Sequence, residues 1–254
     1  MKTLIYVATH RPYDLYGDSS YKMVQVGSSL AESKIPGTIP DSLSADNISR
    51  FNPIYCELTA LYQLWKYEDA DIKGLCHYRR YLGYHKHSVT PRLNILKAYD
   101  IESLLTEYDI ILPSPSAKGK YWQGYFDDLS QACNHWPYLF VRPIIEEYYP
   151  DYMEEFLNEW TTKKISFCNI MMCKREIFDG YCSWLFDVLF KLQDNIKQIP
   201  PRQMGFLSEW LLNVWVRKNK LNVIYRPMYN IKESYSLPYR ILAKIESLLH
   251  HGNG

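Results

Sequence analysis

Apolar positions along the chain fall into two kinds of run. Short continuous runs occupy residues 3–9, 72–78, 108–113, 165–173 and 221–226. Their length and lack of alternation predict strands buried on both faces of a sheet. Between them, apolar residues recur every three or four positions. Ile54, Leu58, Leu61, Tyr62 and Trp65 follow Asn52 and Pro53, a pair suited to capping and opening a helix. Phe178, Tyr181, Cys182, Leu185, Val188 and Leu189 line one face of a helix over 175–193, and further helices are predicted over 95–107, 143–159 and 204–218. Residues 27–47, with Pro36-Gly37, Pro40 and Asp41-Ser42, read as loop, and so do 114–126. Strand alternating with helix predicts an α/β fold with a mostly parallel central sheet flanked by helices. One domain is expected over residues 1–235, followed by a helical tail, 236–254. No repeat, low-complexity tract or linker divides the chain further.

Composition narrows the class. Of 254 residues, 47% are hydrophobic and 22% charged, which excludes a disordered chain. The 29 Lys and Arg against 28 Asp and Glu leave a net charge of +1, unlike the basic balance of a nucleic-acid binder. No apolar stretch approaches the ~18 residues of a membrane-spanning helix. The first apolar run stops at Thr9-His10-Arg11, too early for a secretory signal, so a cytoplasmic protein is expected. Cys56, Cys76, Cys133, Cys168, Cys173 and Cys182 form no C-x-x-C pair and read as reduced, buried thiols. The 23 tyrosines suit a sugar-handling cleft, and equally a wet core.

Familiar nucleotide and hydrolase motifs are absent: there is no G-x-G-x-x-G, no phosphate loop and no G-x-S-x-G elbow. Attention falls instead on polar groups at strand ends, where open α/β sheets bind ligands. Thr9, His10 and Arg11 close the first strand. His77-Tyr78-Arg79-Arg80-Tyr81 closes the second, and paired guanidiniums there suit a diphosphate, which Arg grips bidentately. The other reading pairs one Arg with an internal carboxylate. Asp46 and Asn47 could read a base or ribose, or simply form a turn. Glu209 lies among Phe206, Leu207, Trp210 and Leu211, where a carboxylate's pKa rises towards that of a general base; its alternative is a structural pair with Arg202. Asn169 offers one polar contact in an apolar strand, to an acceptor hydroxyl. Asp69-Ala70-Asp71 has a metal-binding form but precedes its strand, at the wrong end for a ligand, and reads as a solvated turn. Asp127-Asp128 is better placed, and His135 is a further candidate ligand or acid.

These residues carry a resemblance. The segments 5–10, Asp46-Asn47-Ile48-Ser49 with Asn52, 55–62, 74–81, 169–171, 181–186 and 202–209 resemble the bacterial domain of unknown function 4422 family, found among capsule, exopolysaccharide and O-antigen glycosyltransferases. The resemblance implies a GT-A-like fold and transfer of a sugar from a nucleotide donor, with UDP-galactofuranose as donor and inversion at the anomeric carbon. Under transfer of this kind, Arg79 and Arg80, with His77, are expected to stabilise the departing diphosphate, Glu209 to be the base, and Thr9, His10, Asp46, Asn47 and Arg202 to bind the substrate. Other GT-A enzymes carry D-x-D where this chain has His77 to Arg80, so a divalent cation (Mn or Mg) is an open cofactor. The partners expected are a UDP-sugar and a lipid-linked or oligosaccharide acceptor. The basic, apolar tail over 238–251 could dock on the inner face of a membrane, or pack on the domain or on a second copy of the chain. Two other classes fit the same cleft: a silent nucleotide-sugar-binding subunit of a polysaccharide assembly complex, and a metal-dependent phosphoryl transferase.

Overall fold

The computed structural model describes residues 1–117 and 136–231. Within them lie β1 (Thr3–Thr9), β2 (Tyr21–Gln25), β3 (Ile39–Pro40), β4 (Ile72–His77), β5 (Arg80–Leu82), β6 (Ile110–Pro113), β7 (Ser116–Ala117), β8 (Lys164–Ile165), β9 (Met171–Lys174), β10 (Val223–Arg226) and β11 (Met228–Asn230). The main sheet runs β10-β6-β9-β4-β1-β2-β3, and β5 bridges β4 to β11 at one end. Along the main path β9 alone runs against the other strands. The mostly parallel central sheet expected from the short apolar runs is therefore present.

Alternation along the strands divides the core in two. Leu4, Tyr6 and Ala8 of β1 face a cluster shared with the helices Leu58–Tyr67, Arg175–Asn195 and Gln203–Lys218. Ile5 and Val7 face the opposite cluster, which includes Ile101 and Leu105 of the helix Ala98–Glu107. The centre of the sheet is tightly drawn. A Cβ on Gly74 would lie 2.7 Å from Ile5 Cδ1 and 2.8 Å from the Met171 carbonyl oxygen, so β1, β4 and β9 meet there only because the side chain is missing.

Local chemistry moves several boundaries from those expected. Asn52 does not cap its helix; it is the first residue of a short turn, Asn52–Tyr55. Its Nδ2 donates to the Cys56 carbonyl at 2.7 Å, and Cys56 takes φ 53, which splits the expected helix before Leu58. The helix expected from residue 95 starts at Ala98, because Asp100 and Asp18 accept the Lys97 and Ala98 amides, each at 2.8 Å. The helix expected over 143–159 is two, Trp136–Tyr148 and Met153–Thr161, separated by a turn at Pro150. The strand expected over 165–173 is also two, β8 and β9, joined by a segment with Cys168 at φ 75 and Asn169 at φ 51. The loop expected over 27–47 contains β3 and is organised by a buried carboxylate. Asp41 accepts from the Gly27 amide at 2.7 Å, the Ser28 amide at 2.9 Å and the Ser49 hydroxyl at 2.5 Å. Burial pushes the thiols of Cys56, Cys76 and Cys168 up to about 12. Cys133, the loop over 118–126 and the boundary near residue 235 with its tail lie outside the described residues. Among the described residues no helix is long and apolar enough to cross a membrane.

One buried charge tests this packing. Lys73, in the middle of β4 and 2% exposed, places Nζ 2.9 Å from Asp179 Oδ1 and over the Phe178 ring. Removing the carboxylate leaves the buried ammonium only the Trp65 carbonyl, at 3.4 Å, whereas replacing the ammonium by an apolar chain buries no unpaired charge. Asp179→Ala should lose about 2–4 kcal/mol in urea unfolding, and Lys73→Met less than about 1 kcal/mol. Equal losses from the two variants would show that this ion pair is not the source of the stability.

Candidate functional site

The chain leaves β1 towards β2 and β3 on one side and returns to β4 on the other. At such a switch the loops after the two central strands part and leave a crevice at their carboxyl ends. Thr9, buried at the end of β1, turns the chain by donating Oγ1 to the Arg11 carbonyl at 2.6 Å. β4 ends at His77, which pairs antiparallel with Arg80, so Tyr78 and Arg79 form a two-residue turn. That turn separates the adjacent arginines. Arg79 is exposed at its tip, while Arg80 is folded back along β5.

The outer part of the crevice is cationic and built on one ring. Tyr78 is buried, with the guanidinium carbons of Arg79 at 4.9 Å and Arg11 at 5.3 Å from its centroid. His10 and Tyr13 meet the same ring edge-on, at 5.3 and 5.0 Å. The His10 pKa is lowered, first by burial and then by the charges of Arg11, Arg79 and Arg202. Three guanidiniums thus act on one imidazole, a concentration of positive charge that favours an anion. Tyr13 also lines an apolar slot of about 320 Å³ with Pro12, Leu15, Met23 and Pro36. The slot and the cationic patch share that wall.

The inner part is acidic. Arg202, at φ 67, heads the helix Gln203–Lys218 and donates its amide to the Pro53 carbonyl at 2.8 Å. Gly205 lets this helix abut the preceding turn, since a Cβ there would lie 3.2 Å from that of Cys56. One turn on, Glu209 is half-buried and its pKa is raised to about 8. Burial is the main cause and the charge of Glu57 the second; a hydrogen bond from the Cys168 backbone and the charges of Arg80 and Arg202 pull the other way. Glu57 Oε1 accepts from Asn169 Nδ2 at 2.6 Å and lies 3.9 Å from His77 Nε2. The His77 pKa is lowered, chiefly by burial. The segment carrying Asn169 is pinned to the helix by Asn213, which exchanges hydrogen bonds with Ser166 at 3.0 and 2.9 Å.

The candidates read from the sequence therefore divide. Thr9, His10 and Arg79 belong to the outer patch, His77, Arg80, Asn169 and Glu209 to the inner pocket, and Arg202 acts on both. Asp46 and Asn47 make loop contacts: Asp46 accepts from the Tyr62 hydroxyl at 3.0 Å, and Asn47 bonds Ser44 and the Ser49 amide. Asp69 pairs with Arg175 at 2.6 Å, as suits a turn. Among the described residues no group of three or more His, Cys, Asp or Glu side chains is arranged to hold a metal ion. Asp127, Asp128 and His135 lie outside the described residues. Sequence reasoning missed Glu57 and Tyr78 as site residues. Glu57 is a single acid at a helix start, and only its neighbours in space mark it out.

Comparison with known proteins agrees with this architecture. An apo structure of the WbbM bifunctional glycosyltransferase matches with a TM-score of 0.79 and 24% identity, over 92% of this chain and 46% of that one. This chain thus spans about half the length of the WbbM chain. The fold is α/β and GT-A-like. No curated protein matches the chain. Residues 4–220 match the family described as "Domain of unknown function (DUF4422)", and the chain belongs to that family.

Proposed function

We propose that this chain is a glycosyltransferase that moves a sugar from a nucleoside-diphosphate donor to a saccharide hydroxyl. One observation carries the reading: a cationic patch and a half-buried carboxylate of raised pKa share the crevice at the carboxyl ends of β1 and β4. The GT-A-like fold shared with WbbM supports it. The finer reading takes galactofuranose from UDP-galactofuranose, with inversion, onto a lipid-linked or oligosaccharide acceptor. It rests on the family resemblance of the segments around Asn47 to Tyr81.

On this reading the parts divide as follows. The apolar slot beside Tyr13 takes the base, and Arg11, Arg79 and Arg202 take the diphosphate, whose charge grows as its bond to the anomeric carbon breaks. The acceptor oxygen bonds to that carbon as its proton passes to the Glu209 carboxylate, and the bonding electrons leave with the nucleoside diphosphate. A base acts best with a pKa near the working pH, and Glu209 at about 8 meets that condition. Arg80 lies on the Glu209 side of the turn, where it steadies the ionised carboxylate rather than gripping phosphate.

Arg79→Ala should weaken UDP binding by about tenfold or more in calorimetry, the scale of a charged hydrogen bond. Unchanged affinity would remove Arg79 from the diphosphate site. Glu209→Gln should bind UDP like the parent and lose about 10²–10⁴-fold in transfer rate. The parent's rate should climb with pH towards about 8, and Arg80→Ala should move that limb to higher pH. A parent rate flat between pH 6 and 9 would exclude Glu209 as the base.

The same carboxylate carries a stability signature. Its folded pKa of about 8 exceeds the ordinary value of 4.5, so the folded state holds the proton more tightly. Its contribution is favourable at low pH and is lost as pH rises from about 4.5 through 8. Glu209→Gln should therefore match the parent's thermal stability near pH 5 and exceed it by roughly 2–4 kcal/mol above pH 8. A difference independent of pH would contradict this.

A further inference from the structure

We propose that Glu57, Asn169 and His77 form a recognition pocket for sugar hydroxyl groups inside the crevice. The proposal rests on the transferase reading above and names the part of the substrate that this pocket holds.

Asn169 is 2% exposed, and its Nδ2 sits between two acceptors, Glu57 Oε1 at 2.6 Å and the Gly205 carbonyl at 3.0 Å. Those acceptors fix the orientation of the amide, since only the nitrogen can donate to both. Oδ1 is therefore turned the other way, and it is buried with no hydrogen-bond partner. Of the other buried side-chain atoms without a hydrogen-bond partner, His77 Nε2 is the one that lies near this carboxylate, 3.9 Å from the same Glu57 oxygen. The imidazole bonds the Cys168 backbone, which sets its orientation.

Two unsatisfied buried atoms, on the two side chains that meet one carboxylate oxygen, are costly, because each forfeits a bond it would make to water. An incoming group repays that cost if it carries donors at hydroxyl spacing. In its neutral form His77 offers Nε2 as an acceptor, and Asn169 Oδ1 and Glu57 are acceptors as well. A pocket of acceptors beside a base, in a crevice that handles sugars, fits the hydroxyls of a sugar ring. A site built to bond a hydroxyl also discriminates strongly against analogues lacking it, because the protein groups are then left unpaired.

The hydroxyls could come from the donor sugar or from the acceptor, and one set of measurements separates the sources. The parent, Glu57→Gln and His77→Gln are titrated with UDP, UDP-galactofuranose, UDP-galactose and UDP-glucose. Their KM and kcat are measured with a synthetic galactose disaccharide as acceptor. Thermal unfolding confirms that each variant is folded, and either variant alone suffices if the other is not. Both variants should bind UDP within about twofold of the parent, since its site is the outer patch. If the pocket holds the donor sugar, the best UDP-sugar should bind the variants about tenfold or more weakly. If it holds the acceptor, donor affinity should stay and the acceptor KM should rise about tenfold or more, with a smaller change in kcat. Donor affinity and acceptor KM both within twofold of the parent would overturn the proposal, and so would an equal loss of UDP and UDP-sugar affinity. Failure of the parent itself to bind UDP or any UDP-sugar would overturn the transferase reading instead.

Discussion

Four side-chain-bearing residues at positive φ surround the inner pocket: Cys56, Cys168, Asn169 and Arg202. Each such conformation costs on the order of 1–3 kcal/mol and persists only where its surroundings over-determine it. Here they do. Asn52 holds the Cys56 carbonyl, Asn213 grips the segment leading to Cys168, Asn169 is tied to Glu57 and Gly205, and the Arg202 amide is bound by Pro53. Each kink has a use. Cys56 turns the chain so that Glu57 points into the crevice, Cys168 brings its backbone to Glu209 and His77, and Arg202 starts the helix that carries Glu209. The helix Gln203–Lys218, packed into the large core through Met204, Leu207, Trp210 and Leu211, is the buttress that keeps them in place.

That arrangement explains what was and was not legible in the sequence. Elements held by their own apolar pattern were readable: β1, most of β4, and the helices Arg175–Asn195 and Gln203–Lys218 lie where periodicity placed them. Elements defined by a partner were not. β2, β5 and β11 are short: β5 is fixed by a tight turn onto β4, and β11 by β5, far back along the chain. The strand predicted over 165–173 failed for a sharper reason. Its apolar run hides two consecutive residues at positive φ, stabilised by Asn213 more than forty residues away.

The candidate site was legible to the same degree. Strand-end position picked out His10, His77, Arg79 and Arg80, and apolar neighbours picked out Glu209. The adjacency of Arg79 and Arg80 suggested one clamp, yet a two-residue turn sends adjacent side chains to different places. Arg79 stacks on Tyr78 in the outer patch, while Arg80 acts on Glu209 and Cys168. The sequence cannot express that division, because it depends on the register of β5 against β4. Glu57 was hidden for the same reason, as its role is set by Asn169 and His77, far along the chain.

Placing cations outside and carboxylates inside has a consequence for the chemistry. A nucleoside diphosphate seated on Arg11, Arg79 and Arg202 would neutralise the charges that hold the His10 pKa down and help to hold that of Glu209 down. Donor binding would therefore push Glu209 further towards its protonated form. Departure of the charged product would then let the carboxylate release its proton more readily. Arg80 opposes the first effect from the far side of the turn, and its position on β5 keeps it out of the outer patch. The two arginines read as one clamp in the sequence thus lie in different places: Arg79 is on the outer patch against Tyr78, and Arg80 is near Glu209, where its charge pulls the carboxylate's pKa down.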